Sequence, residues 1–212
     1  TELNEEVPNP YITVSEVRTN EYTETTSEKT IRNIETEESR ELGDGYRIAW
    51  GTGTVKIHYN HYQRKDISSG QPTIPLQPTG LPPIELNTHL MWIETPRQRR
   101  DEILFEFLDE ELAAATDGDV MEIFGGGLHG AEHGMIKLTP LELRMDTSDL
   151  GGLSTPMHQE TDAPTWFIHD AVEGGLGFSQ QIFDRVDTVV ELTRDRVANC
   201  DCSGNGGCPA CI

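Results

Sequence analysis

Positive charge is scarce in this sequence. Sixteen Lys and Arg stand against 37 Asp and Glu, a formal net charge of −21 at pH 7, and only four of the cations are lysines. The basic stripe that marks many nucleic-acid-binding domains is absent. No run of about 18 apolar residues occurs, so no helix is expected to cross a membrane. The N-terminus carries no basic-then-apolar leader. No lysine follows a glycine, so the G-x-x-x-x-G-K-[ST] loop that cradles ATP phosphates is missing. Cysteine does not occur before position 200, and the first methionine is Met91. A chain that opens on Thr1 is expected to be a segment or processed product of a longer protein. The lack of targeting signals, with paired thiols better suited to metal than to disulfides, points to the cytoplasm.

The acid excess has three readings: a solvated surface adapted to high salt, a disordered acidic segment, or a face for a basic partner. At about 1 M salt, screening within roughly 3 Å removes most self-repulsion. Acid is spread along the whole chain between apolar segments, which favours a halophile-like surface, as in a halophilic archaeon.

Apolar periodicity divides the 212 residues into a β-rich region, 1–95, and a helical region, 96–212, which can equally form one continuous domain. Tyr11–Val14 and Lys29–Ile34 alternate at strand period. Gly43-Asp-Gly45 is a turn. Tyr46–Trp50 and Gly53–Tyr59 read as neighbouring strands joined near Gly51-Thr-Gly53. The pattern continues through His61–Ile67 to a turn at Ser68-Ser-Gly70. A connector over 71–83 holds five of the twelve prolines, and Glu85–Ile93 is a further strand. Thr95-Pro96 then starts a helix with Ile103, Leu104, Phe107, Leu108 and Leu112 on one face. A second helix is expected over Leu128–Leu138, stopped near Pro140. Trp166–Ile168 is a short strand. One long helix, Gly177–Asn199, turns Phe178, Ile182, Phe183, Val186, Val189, Val190 and Val197 inward. The expected fold class is α+β: a β-rich N-terminal half, then a helical half ending in a four-cysteine zinc knuckle.

That knuckle is Cys200, Cys202, Cys208 and Cys211, spaced C-x-C-x5-C-x2-C. Two close thiolate pairs supply the four tetrahedral ligands that zinc takes at about 2.3 Å. An iron–sulfur cluster is the main competing reading. Disulfides at these spacings are strained. With four thiolates committed, the metal is structural and not catalytic.

Leu128-His-Gly-Ala-Glu-His133 contains H-x-x-E-H, the pattern of one class of zinc proteases. On a helix His129 and His133 share a face, with Glu132 beside them as a possible general base. Glu191 is a formal third ligand. The bland reading is hydrogen bonding inside a packed helix. Gly174-Gly-Leu-Gly177 before a helix reads as an anion cradle or, more simply, a tight turn. Arg97, Arg99 and Arg100, and the smaller pair Arg64 and Lys65 beside Tyr59 and Tyr62, are the places for nucleic-acid contact. Each also reads as a solvated face.

Four segments occur in a telling order: Leu128-His-Gly-Ala-Glu-His133, Asp149-Leu-Gly-Gly-Leu-Ser154, Phe167-Ile-His-Asp170 with Glu173-Gly-Gly-Leu-Gly-Phe178, and the closing Cys-x-Cys…Cys-Pro-x-Cys. Together they resemble the MrfA-type zinc-binding domain, a domain of unknown function at the C-terminus of superfamily 2 DEAD/DEAH-box DNA helicases. The likeness is strongest over 120–212. Tyr59-x-x-Tyr-x-Arg64 and Leu81-Pro-Pro-x-x-Leu-x-Thr carry it more loosely over 46–95. It implies zinc on the four cysteines, no catalytic residues in this segment, and an ATP-binding motor upstream that works on DNA in repair, translocating 3′ to 5′. DNA and that motor are the implied partners, with no membrane. A zinc hydrolase built on H-x-x-E-H and an acidic protein-interaction module are the alternatives.

Overall fold

The computed structural model describes residues 2–4, 11–13, 19–99, 101–102, 117–202 and 208. It divides into two compact units, one of residues 1–28 and 58–83, the other of 29–57 and 84–212. The boundary expected at 95–96 falls inside the second unit.

In the first unit β1 (Glu2–Asn4) pairs antiparallel with β2 (Tyr11–Thr13). The unit also takes one end each of two long strands, β3 (Glu21–Gly43) and β4 (Tyr46–Asp66). The two-residue β5 (Gln77–Pro78) pairs with β4 at Tyr62 and His61. The turn after β4 is tied by Asp66, whose carboxylate accepts from Ser68 and Ser69 and is thereby pulled down to a pKa of about 2.

The second unit is built on one sheet of order β3-β4-β6-β8-β7, with β6 (Ile84–Glu94), β7 (Leu150–His158) and β8 (Ala163–Asp170). Side chains alternate across a strand, so the buried run Leu90-Met-Trp-Ile93 of β6 feeds two cores. On one face Met91 and Ile93 join Ile48 and Ile168 beneath three helices. On the other face Leu90 and Trp92 join Ala49, Val55, Phe167 and Ile31. Ile31 reaches this second core because the sheet curls until β3 meets the β7–β8 hairpin. Lys29 Nζ donates to Gly152 O at 2.9 Å, and the Asn33 and Ile34 amides donate to the Glu160 carboxylate at 3.0 and 2.9 Å. His158 closes the gap, its Nε2 3.2 Å from Ile31 O and its ring against Phe167. Burial pushes its pKa down.

Among the described residues, three helices pack on this sheet: α1 (Asp117–Leu143), α2 (Phe178–Asp184) and α3 (Val186–Ala198). α1 supplies Phe124, Leu128 and Met135 to the core, and α2 and α3 supply Ile182, Phe183, Val186 and Val189. Among the described residues no helix is long and apolar enough to cross a membrane. The fold is α+β, β-rich first and helical later, with the cysteines clustered near the C-terminus.

Several elements differ from the sequence expectation. β4 is one continuous strand where two were expected, because Gly51 and Gly53 sit inside it. A Cβ on Gly51 would overlap the Glu35 carbonyl oxygen, so this glycine admits close approach of β3 and makes no turn. α1 runs through Gly125–Gly127 and past Pro140. Proline removes one backbone donor, yet the turn persists, with the Thr139 hydroxyl bonded to Met135 O at 2.7 Å. The expected single helix after Gly177 is broken at Arg185 (φ −117°, ψ 22°) into α2 and α3. Val190 and Val197 are exposed. They border an apolar groove beside Gly126, Gly127, Gly130 and Ala131 of α1, where glycine offers no side chain to cover them. β7 had no counterpart in the expectation. The helix after Pro96 makes its first turn, with Arg99 N donating to Pro96 O. Its expected apolar face at Ile103, Leu104, Phe107, Leu108 and Leu112 lies outside the described residues.

Candidate metal centres

α3 ends at Ala198 and delivers the chain directly to Cys200, whose amide donates to Val197 O. Cys200 Sγ and Cys208 Sγ are 3.6 Å apart. The sulfurs of Cys200, Cys202 and Cys208 all lie within 4.8 Å of one another, each half-buried. A disulfide requires about 2.05 Å, whereas thiolates at about 2.3 Å around a tetrahedral ion stand roughly 3.8 Å apart. The spacing therefore fits a shared metal. Cys211, the fourth expected ligand, lies outside the described residues.

The H-x-x-E-H residues also come together. α1 presents His129, Glu132 and His133 on one face, and one ligand atom from each lies within 4.8 Å of the others. The two imidazole rings are 4.3 Å apart, edge to face. His129 Nδ1 is 3.2 Å from Glu132 Oε2 and 3.2 Å from Ser154 Oγ on β7. Glu132 is only 3% exposed. It fits because β7 crosses it at Gly152, where a Cβ would overlap the carboxylate. Glu191 is elsewhere, paired with Arg194 at 3.8 Å on an exposed face of α3.

Two further groups share this seam between α1 and β7. Lys29 is near enough for Glu132 to raise its pKa, but burial is the larger effect and pushes it down. His169 is buried against Gly151, where a Cβ would stand 2.5 Å from its ring. Its Nδ1 bonds Asp170 O, its Nε2 has no partner among the described residues, and burial depresses its pKa. Sequence reasoning missed Lys29, Ser154 and His169, because nothing local marks residues that meet across such separations. The Gly151-Gly152 pair was the available signal.

The Gly174–Gly177 loop does hold an anion, but an internal one. The fully buried Asp170 carboxylate accepts from the amides of Leu176, Gly177, Phe178 and, at 2.8 Å, Ser179. The segment is therefore the tight strand-to-helix turn, with Gly177 at φ 81°.

The candidate nucleic-acid contacts among the described residues are engaged with acids of this chain. Arg64 pairs with Glu21 at 3.1 Å and Lys65 with Glu24 at 2.6 Å in the first unit. In the second, Arg97 pairs with Asp162 at 2.7 Å and Arg99 with Glu102 at 2.8 Å. Arg100 lies outside the described residues.

Comparison with known proteins accords with this geometry. Residues 131–212 match the MrfA Zn-binding domain family. The uncharacterized protein MJ1572.1 of Methanocaldococcus jannaschii is 31% identical over 88 residues, 40% of this chain and 77% of that protein. The uncharacterized ATP-dependent helicase YprA of Bacillus subtilis is 26% identical over 135 residues, 64% of this chain and 16% of its own length. The structure of the DUF1998 helicase MrfA bound to DNA superposes with a TM-score of 0.63 at 23% identity, over 93% of this chain and 24% of that one. The same helicase with DNA and AMPPNP gives 0.52 at 21% identity, over 92% and 21%. The chain thus spans about a quarter or less of the helicases it matches, and the structural likeness shows a shared fold. With a cysteine cluster of metal-binding geometry inside the matched segment, the chain belongs to the MrfA Zn-binding domain family, whose metal is zinc, and Cys200, Cys202 and Cys208 have the geometry to hold it.

Proposed function

We propose that this chain is a zinc-stabilised accessory domain of an ATP-dependent DNA helicase, positioning DNA for a motor carried elsewhere in the parent protein. The observation that carries the reading is the fold itself, which matches part of a DNA-bound helicase over 93% of the chain. Repair is the process the resemblance implies, and the cytoplasm is the compartment to which the paired thiols point. The domain does no chemistry: four thiolates leave a metal no open position, and the sequence has no phosphate-binding loop. The zinc holds Cys202 and Cys208 beside Cys200 at the end of α3. Its binding supplies folding free energy on the order of 10 kcal/mol.

The acid excess limits how DNA can be held. The described candidates Arg64, Lys65, Arg97 and Arg99 are each paired with a carboxylate. Solvent-screened pairs of this kind are weak, so a phosphate can displace the acid at little cost. Tyr59 and Tyr62 stand beside Arg64 in sequence and supply stacking faces.

The test is titration of the zinc-loaded chain against labelled single-stranded and forked DNA, from about 50 to 200 mM salt. A weak affinity that falls as salt rises, and that Arg97→Glu with Arg99→Glu reduces, is expected. No binding at the lowest salt would overturn direct DNA contact and favour the acidic protein-interaction module. Metal analysis runs alongside. One zinc on the cysteines, lost with Cys200→Ser, is expected, and a preparation with neither zinc nor iron would sink the metal assignment.

A further inference from the structure

We propose that His129, Glu132 and His133 bind a second divalent transition-metal ion of the zinc class, separate from the cysteine site. Its role is to clip one turn of α1 on the side of the helix that faces β7.

The geometry comes first. Residues at i, i+3 and i+4 share a helix face, and here their ligand atoms lie within 4.8 Å of one another. Nitrogen and oxygen ligands at about 2.1 Å from a tetrahedral ion stand roughly 3.4 Å apart. The His129 Nδ1 to Glu132 Oε2 distance, 3.2 Å, is already of that size. The ring centroids at 4.3 Å allow both imidazoles to reach one point.

The electrostatics point the same way. Glu132 is a carboxylate almost wholly removed from water, and a buried charge demands compensation. Among the described residues its one hydrogen-bond partner is the His129 ring. The Lys29 ammonium is close but donates to Gly152 O. His133 has a ring contact with His129 and no hydrogen bond among the described residues. A divalent cation would satisfy the carboxylate and both rings at once. The His129 side chain is 63% exposed, so the group is open to solvent on one side and closed by β7 on the other.

α1 also gives such an ion a purpose. The stretch around the motif contains Gly125, Gly126, Gly127, Gly130 and Gly134, and glycine is among the poorest helix formers. A metal bridging one turn offsets part of that deficit where the chain needs it. Two imidazoles and one carboxylate suit zinc, cobalt or nickel over magnesium or calcium. Glu132 sits as a ligand here, so it is not the free general base that the hydrolase pattern of the same three residues requires.

Cobalt titration of the tag-free, chelator-stripped chain under reducing conditions tests this. Two equivalents are expected, with the intense thiolate-to-cobalt absorption accounting for one and weaker d–d absorption alone for the other. H129N with H133N is expected to bind one equivalent, with the thiolate band unchanged and a smaller rise in melting temperature on metal addition. One equivalent in the wild-type chain, or two retained by the histidine variant, overturns the proposal. Should the variant fail to fold, wild-type stoichiometry decides: two equivalents sustain the second site and one removes it. Loss of the thiolate band is a separate outcome that indicts the cysteine site. The second site then stands if one sulfur-free equivalent remains and falls if none does.

Discussion

Two sets of glycines behave in opposite ways in this molecule. Gly125, Gly126 and Gly127 stand on α1 with open space where a Cβ would go. Gly51, Gly151 and Gly152 lie in strands, and each is pressed against something a Cβ would strike: the Glu35 backbone, the His169 ring and the Glu132 carboxylate. At these three helix positions, glycine is a liability that only loosens the backbone. In the sheet, it lets a strand, a histidine and a carboxylate approach closely enough to build the curled sheet and the polar seam. A glycine-rich stretch is therefore not one kind of signal. Its meaning depends on what lies opposite, and for Gly152 that is a residue twenty positions earlier.

The largest effect should come from Gly51→Ala. The obstructing atoms are backbone of the neighbouring strand, which cannot rotate away, so a loss of about 3 kcal/mol or more is expected in chemical denaturation. A loss under about 1 kcal/mol would break the contrast at once. Gly152→Ala comes next, with about 2–3 kcal/mol lost as Glu132 is pushed from its place. The same substitution in a Glu132→Ala background should cost markedly less, and the double-mutant cycle measures that coupling. Gly151→Ala should cost about 1–2 kcal/mol, because a ring yields more readily than backbone. A shift of the His169 ring resonances in NMR spectra would report the displacement. Smallest, and opposite in sign, is Gly126→Ala, expected to stabilise by about 0.5–1 kcal/mol. A destabilising result there would mean that this face of α1 is covered by something in solution.

Legibility along the chain followed the range of the interactions. Turn chemistry is local, so Gly43-Asp-Gly45 was readable, and so was the strand that ends in the apolar run Leu90-Met-Trp-Ile93. The cysteine spacing was readable for the same reason: Cys200, Cys202 and Cys208 are only a few residues apart in the chain, and they come together. Helix breakers misled. Pro140 and Gly125–Gly127 argue for interruption, yet α1 continues because Phe124, Leu128 and Met135 bury on either side of the glycines. β7 was invisible because Gly-Gly and a proline-containing stretch carry little strand propensity. It exists because β8 beside it is almost wholly buried and offers a full backbone edge. The acid shell was visible from composition, but that Arg97 and Arg99 would be answered by Asp162 and Glu102 was visible only in part. The second pair is three residues apart on one helical turn, and the first spans 65 positions.

The sequence by itself determined the acidic surface, the order of strands before helices, and a metal site at the end of the chain, because each rests on composition or on neighbours within a few residues. Tertiary structure alone decided that Lys29, Glu132, Gly152 and His169 form one seam, that Asp170 fills the glycine loop before α2, and that β3 curls to meet β7. Those contacts join residues far apart in the chain. They form where burying two apolar cores on the faces of one sheet leaves polar groups that must find partners.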